Sequence, residues 1–507
     1  MTQPKLLNKF ISSLFAASLL LTGCGAIQAG AVAPSDVAGG AVVEVYSGDE
    51  LQSSKTFDTP AQAWSNAVSS ANDAAQTVVT LGDNWSGDDE LTVRAGQHIT
   101  LDLNGHYIKR NRNHQMKSGG GVFRVQKNAV FTVRDSNPGT KGYDDVKGGV
   151  ITGGASSNSA GGVHIEQEGE FRMEGGTIYD CITDADGGAV NVSGNSENTK
   201  FTMTGGRIYA CKTMESTDEC YGGAIYLQKG VVALSDATID DCYSEDDGGA
   251  IYSERGTVTL NNVVFSGNKC QEQGGAIAVA LDTNNLMGTL LSAYDCTFAG
   301  NRAEEDGGAV IISDNPSDNG AVLFHNCKFR NNSAGEDGGA FYVNDDNVAL
   351  SSCEITSNRA KGYGGGVFVD GRYNVTLMGL TVIKDNTSDK GQGVSNLVLE
   401  NGTTGTARVI DGGLYKNSLI HIGTTSNKSV MLSEWMSQYQ MQYFVADEGT
   451  LGHEGERFVN ASMVTTASIF SDGIYAIVIL GSVGLIATVI LIIRKKRIEK
   501  KAGEDNA

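Results

Sequence analysis

The residues with chemistry to offer recur at fixed intervals. In short apolar segments that each follow a Gly-Gly pair, positions two apart are aliphatic: Ile225 and Leu227, Ile277 and Val279, Val310 and Ile312, Val367 and Val369. On a strand such positions share one face, so the residue between them points to the other. In successive segments that residue is Tyr226, Tyr252, Ala278, Ile311, Tyr342 and Phe368. An outward apolar and aromatic stripe is suited to stacking on sugar rings or packing against a protein. A self-stabilising aromatic ladder, or a face lying under an inserted loop, would use the same residues. The expected binding residues are Tyr226, Tyr252, Ile311, Tyr342 and Phe368.

Carboxylates gather just before the same Gly-Gly pairs, as Asp186, then Glu245, Asp246 and Asp247, then Glu304, Glu305 and Asp306, then Glu336 and Asp337. Stacked from one repeat to the next, like charges would meet at about 5 Å, a repulsion that calcium relieves through carboxylate oxygens. Glu305, Asp306, Glu336 and Asp337 are the calcium candidates, and no other cofactor is expected. The plainer reading of such runs is solvated turn residues.

These side chains belong to a repeat. The Gly-Gly pairs begin at Gly161, Gly187, Gly222, Gly248, Gly274, Gly307, Gly338 and Gly364, with spacings of 26, 35, 26, 26, 33, 31 and 26 residues. A basic unit of 26 with scattered insertions is how loops on a solenoid look. A second motif holds its own place in each unit: Phe265 with Asn268, Phe298 with Asn301, Phe329 with Asn332, Ile355 with Asn358, Ile383 with Asn386. In earlier units Cys181, Cys211 and Cys242 stand where the Asn would be. The unit is too short for a pair of helices, and its apolar residues alternate, so it fits one coil of three short strands. The expected fold is all-β, a right-handed parallel β-helix with one further C-terminal transmembrane helix. Glycines allow the bend, and the Ala after them allows close approach. Asn268, Asn301, Asn332, Asn358 and Asn386 are expected to sit in turns in the left-handed region and to bond to one another as a ladder.

The ends predict export and anchoring. Lys5 and Lys9 precede an apolar stretch, so residues 1–31 read as a signal peptide. Residues 21–24 resemble a lipobox, which makes Cys24 a candidate for lipidation, while Ala29-Gly30-Ala31 fits ordinary cleavage. Residues 474–493 are uncharged and long enough to cross a bilayer, and the basic residues Arg494, Lys495, Lys496 and Arg497 follow, which places 494–507 in the cytoplasm. Between the ends, 32–118 reads as an N-terminal cap with the first coils, 119–398 as the β-helix repeats, and 399–470 as final coils and a stalk. The expected location is a cell membrane, crossed once, with a large extracellular N-terminal region. The 66 Gly against 5 Pro agree with repeated tight turns, and a net charge of -21 disfavours nucleic acid as a partner.

Repeats pairing GGAI or GGAV with FSGN, FAGN and FRNN, from Gly161 to Asn386, resemble those of chlamydial polymorphic outer-membrane proteins and other β-helix adhesin-like bacterial surface proteins. The resemblance implies adhesion through the rod to a host or microbial surface glycan or protein. It departs from that family in ending on one helix rather than a translocating barrel. Pectate-lyase-like and glycosidase-like enzymes share the fold, which keeps polysaccharide cleavage as the rival reading and a structural envelope rod as a third. Catalysis would need carboxylates converging on one strand face, with a Lys or Arg for a lyase. The outward positions above hold none, and His164 stands in a corresponding slot alone. Shared slots for Cys181, Cys211 and Cys242, and for Cys296, Cys327 and Cys353, suggest reduced core residues. Should a bridge form, Cys211 with Cys220 is the first candidate.

Overall fold

The computed structural model describes residues 37–460 apart from breaks at 38, 73–74, 215–218, 280–289, 314–320, 345–347, 372, 391–394, 401–407, 426–430, 433–439, 448–450 and 455–456. The expected signal peptide, Cys24 and residues 474–493 lie outside the described residues. Among those described, no helix is long and apolar enough to cross a membrane.

The repeat folds as a parallel β-solenoid. One coil contains four extended segments rather than the three expected: Ile225–Leu227, Val231–Ser235, Thr238–Asp240 and Tyr243–Ser244. The fourth is only two residues long and carries no alternating pattern of its own, so the sequence pattern merges it with the acidic turn. Stacked in register, the long segments form a 15-stranded sheet, the two-residue segments a 9-stranded sheet, and the two sets of three-residue segments join in a 24-stranded sheet. Register is strict: Ile225, Ile251, Ile277, Val310, Phe341 and Val367 form one column, and each is at most 1 % exposed. Phe265, Phe298 and Phe329 stack inside the coil at centroid distances of 4.9 and 4.5 Å.

The two glycines of each pair have different reasons. From Gly187 onward the first takes a positive φ, 69° at Gly222 and 66° at Gly307, which side chains adopt only at a cost. The second takes no such φ, but a Cβ on Gly249 would lie 2.3 Å from the Gly275 carbonyl oxygen, so the coils can approach only there without a side chain.

The asparagines form a continuous column. Asn268 donates through Nδ2 to Asn301 Oδ1 at 3.0 Å, Asn301 to Asn332 at 3.0 Å, Asn332 to Asn358 at 2.9 Å and Asn358 to Asn386 at 2.9 Å. Each acceptor oxygen also takes the backbone N–H of the preceding Asn, and each Nδ2 also reaches a carbonyl one coil back, as Asn332 does to Phe298 at 3.1 Å. The column runs on through Asn396 to the Asp447 carboxylate at 2.6 Å, two members that the sequence pattern missed. The left-handed residue is not the Asn but its predecessor, Gly267, Gly300, Asn331, Ser357 or Asp385. That corrects the expected turn. The predecessor makes the corner, and the Asn side chain is thereby turned into the interior, where Asn268 and Asn301 are fully buried.

The cap and the first coils lie ahead of the regular repeats. The hairpin β1 (Ala41–Ser47) and β2 (Glu50–Phe57) lies antiparallel on β3 (Gln76–Leu81), and β3 already pairs in parallel with His98–Asp102. Between them α1 (Pro60–Ser70) begins on an N-cap at Thr59, whose hydroxyl accepts from the Gln62 amide, with Pro60 in the first turn. It buries Ala63, Trp64, Ala67 and Val68, and the Trp64 ring meets Phe123 and Phe131 edge-on at 5.7 and 6.0 Å. This plugs the apolar end that an open coil would expose. At the far end Leu419–Thr424 and Phe444–Ala446 continue the stack.

Replacing Asn332 with Ala would leave the Asn301 backbone N–H and Nδ2 without their acceptor in a dry interior. The expected loss is about 3 kcal/mol of unfolding free energy, because unmet buried groups cost about 1–3 kcal/mol each. Arg330→Ala, at an exposed position, should stay within about 0.5 kcal/mol. Urea unfolding followed by circular dichroism measures both.

Candidate functional site

The strand after each Gly-Gly pair places one outward residue per coil in a single column. In register it reads Thr92, Arg124, His164, Asn191, Tyr226, Tyr252, Ala278, Ile311, Tyr342, Phe368 and Val398. These positions do face away from the main core, but the apolar ones are not exposed. Tyr226, Tyr252, Ile311 and Phe368 are only 6, 7, 3 and 3 % accessible, and Tyr342 is half-buried. The expected exposed stripe is a second, smaller core: Tyr226, Tyr252, Ala278 and Ile311 cluster, with Tyr221 and Tyr342 packed against them. Tyr221 stacks on Tyr252 at 4.1 Å.

The cause is the turn. The backbone of each Gly-Gly turn folds back onto the strand it introduces, so that a Cβ on Gly274 would lie 3.0 Å from the Ala278 Cβ and one on Gly307 3.1 Å from the Ile311 Cβ. The carboxylates before those glycines are therefore brought against the stripe. Asp186 accepts the Tyr221 amide at 3.0 Å, Asp247 that of Gln273 at 2.9 Å, Asp306 that of Asp337 at 2.8 Å and Asp337 that of Tyr363 at 2.5 Å. The aspartates are thus coil-to-coil acceptors rather than solvated turn residues. Burial raises them: Asp186 to about 6, Asp247 to about 7, Asp306 to about 7, with Asp337 shifted the same way. The Tyr226, Tyr252 and Tyr342 phenols are pushed up by burial first and then by the charges of Asp186, Asp247 and Asp306 respectively. Of the calcium candidates, Asp306 and Asp337 each commit an oxygen to a backbone amide, while Glu305 is half-buried and Glu336 exposed. Among the described residues no three ligating side chains gather as a metal site.

Towards the N-terminal end the column turns polar. Arg124 stands in register beside His164, so His164 is not alone. The Arg124 guanidinium reaches Glu90 at 2.8 Å through Nε and Glu166 at 3.1 Å through Nη1. His164 is held neutral: burial, then the Arg124 charge, lowers it to about 4. Its Nδ1 is buried with no hydrogen-bond partner, and so is Asn191 Oδ1 in the next coil. Asn191 Nδ2 is used, donating to the Asp186 carbonyl at 3.1 Å. Arg124 was missed because its glycine pair, Gly120-Gly121, precedes Val122 instead of Ala and lies outside the regular spacing. The pair itself was a readable signal.

The eight described cysteines are buried and form no disulfide with one another, so the candidate bridge between Cys211 and Cys220 is absent. Cys181, Cys211 and Cys242 occupy the slot later filled by the Asn column, and Cys242 N donates to Asn268 Oδ1 at 3.1 Å. Burial raises the Cys211 and Cys242 thiols, which keeps them out of thiolate chemistry.

Residues 262–280 match the Chlamydia polymorphic membrane protein repeat. Comparison with curated proteins and with solved structures returns no match. The repeat and the parallel solenoid together fit a β-helix surface protein of the polymorphic membrane protein type.

The buried aspartates set a pH dependence. In the unfolded chain they ionise near 3.9, in the rod near 6 to 7. Between those values the rod binds more protons than the unfolded chain, so stability falls as pH rises from about 4 to about 7. His164 acts the other way, costing stability as pH drops below 6.5 towards about 4, but it is one group against several. The melting temperature is expected to be about 5 °C higher at pH 5 than at pH 7.5. The double variant Asp247→Asn and Asp306→Asn, which keeps the amide acceptors, should flatten the difference in differential scanning calorimetry.

Proposed function

We propose that this chain is an adhesin-like surface rod that binds host or environmental glycans or proteins through its lateral face, without catalysis. In this reading residues 474–493 hold it in the cell membrane and the solenoid projects outside. The observation that carries the reading is the polar end of the outward column. A buried His Nδ1 and a buried Asn Oδ1, one coil apart and unpartnered, are polar atoms in want of hydrogen-bond partners, and a hydroxyl- or amide-bearing ligand, which can both donate and accept, supplies them. The column's straight course along successive coils suits an extended ligand. Against cleavage stands the pairing of Arg124: a guanidinium held between two carboxylates is no proton acceptor, and it occupies the acids that a glycosidase would need.

The test is a screen of residues 32–470 against glycan and protein arrays. Wild-type binding that weakens at least tenfold in His164→Phe with Asn191→Leu supports the reading. Binding untouched by that double variant moves the site elsewhere, absence of binding on every surface leaves the spacer rod, and release of unsaturated or reducing sugars from acidic polysaccharides would establish an enzyme instead.

A further inference from the structure

A different face carries a row of tyrosines that the repeat pattern conceals. The three-residue strand of the Phe-Asn motif points its middle residue inward, as Ile108, Ile151, Ile178 and Ile208, and its two flanking residues outward. In four consecutive coils these outward positions are Tyr107 with Lys109, Val150 with Thr152, Thr177 with Tyr179, and Arg207 with Tyr209. The second coil has no ring of its own. It is supplied by Tyr143, carried on the inserted hairpin Lys141–Tyr143 and Val146–Lys147, under which Val150 and Thr152 are 0 and 2 % exposed. The result is one ring per coil: Tyr107 to Tyr143 at 5.1 Å, Tyr143 to Tyr179 at 6.4 Å, Tyr179 to Tyr209 at 5.3 Å. All four are half-buried, unlike Tyr226 and Tyr252 on the neighbouring face.

The two cations that touch the row, Arg207 and Lys109, each lie beside a carboxylate. Arg207 lies over the Tyr209 ring at 3.8 Å and pairs with Asp240 through Nε at 2.7 Å. Lys109 donates to the Tyr143 hydroxyl at 2.8 Å and lies near Asp144, and His114 meets Asp180 at 2.8 Å. The histidine carries charge only when protonated, so Asp180 leaves the strip slightly acidic, in keeping with the net charge of -21. Such a surplus repels a polyanion. What the strip offers is a line of ring edges and phenol hydroxyls, one to a coil and 5.1 to 6.4 Å apart, on coils whose rise of about 4.8 Å is close to the length of one sugar in an extended β-1,4-linked chain.

We propose that Tyr107, Tyr143, Tyr179 and Tyr209 form a binding strip for a linear, uncharged polysaccharide lying along the rod axis, one sugar to a coil. The strip is separate from the His164 column, and it rests on the reading of the rod as a surface binder only in being displayed outside. The inserted hairpin is part of it, because without Tyr143 the row is broken at its second coil.

Affinity electrophoresis of residues 32–470 through gels holding soluble β-1,4-glucan, β-1,4-xylan or polygalacturonate tests this directly. The expected result is retardation by the two neutral polymers and not by the acidic one. Retardation should fall at least tenfold in Tyr143→Ala, whose side chain sits on the hairpin outside the coil, and in Tyr179→Phe with Tyr209→Phe, which keeps the stacked rings and removes the hydroxyls. Circular dichroism melts check that the rod is intact. Retardation unchanged in these variants, or lost only with His164→Phe and Asn191→Leu, overturns the strip while leaving the surface-binding reading standing. Preference for polygalacturonate, or for a protein ligand through the same tyrosines, also overturns it.

Discussion

One constraint governs the molecule: each coil must satisfy its buried polar groups on the coils above and below it. The asparagine column shows this most clearly. An amide has a donor end and an acceptor end, and a parallel stack of identical turns turns every donor towards the next acceptor. Each Asn Oδ1 then receives both the side-chain and the backbone N–H of its neighbour, as Asn332 does from Asn301. Such a column has no internal end, so it must be closed. Asp447, an acceptor without donors when ionised, closes it at one end by taking both the backbone and side-chain N–H groups of Asn396. At the other end the slot changes to Cys242, whose thiol needs little from its surroundings.

The same constraint explains the acidic turns. An aspartate before the glycine pair takes an amide from the next coil, as Asp247 does from Gln273, which a solvated carboxylate would not do. Burial then makes ionisation costly, and the cost is tolerated because removing the oxygen would strand the amide. The slot need not be acidic throughout: in register it holds Asp186, Tyr221, Asp247, Gln273, Asp306, Asp337 and Tyr363, so ionisable groups are interleaved with neutral ones along much of its length. Two carboxylates meet directly only at Asp306 and Asp337.

The solenoid itself was legible because register requires identical residues at identical places, and spacing survives insertions. Inward aliphatics, glycine pairs and the Asn or Cys slot could all be read from position alone. What spacing could not convey was the path of the chain between strands. Tyr226 and Ile311 are on the outer side of their strand, as alternation demands, yet the turn folds over them, and no periodicity encodes a turn's direction. Asn396 and Asp447 were missed because the column continues after the repeat has decayed, Asn396 lying only 10 residues beyond Asn386. Arg124 fell outside for the opposite reason, in a coil that precedes the regular spacing.

Those misses bear on where recognition can reside. In the regular coils the turn must cover the outward column, since the glycine conformation that stacks the turns also lays them on the strand. Rings such as Tyr252 are consumed in holding the turn down. Surface left free for a partner therefore arises where a coil departs from the unit: at the early coils, where the column holds the half-buried Arg124 and His164, and at the insertion that brings Tyr143 into line with Tyr179. Insertions cost a solenoid little, because each coil leans only on its neighbours. The repeat supplies length and stiffness, and its irregularities supply the chemistry.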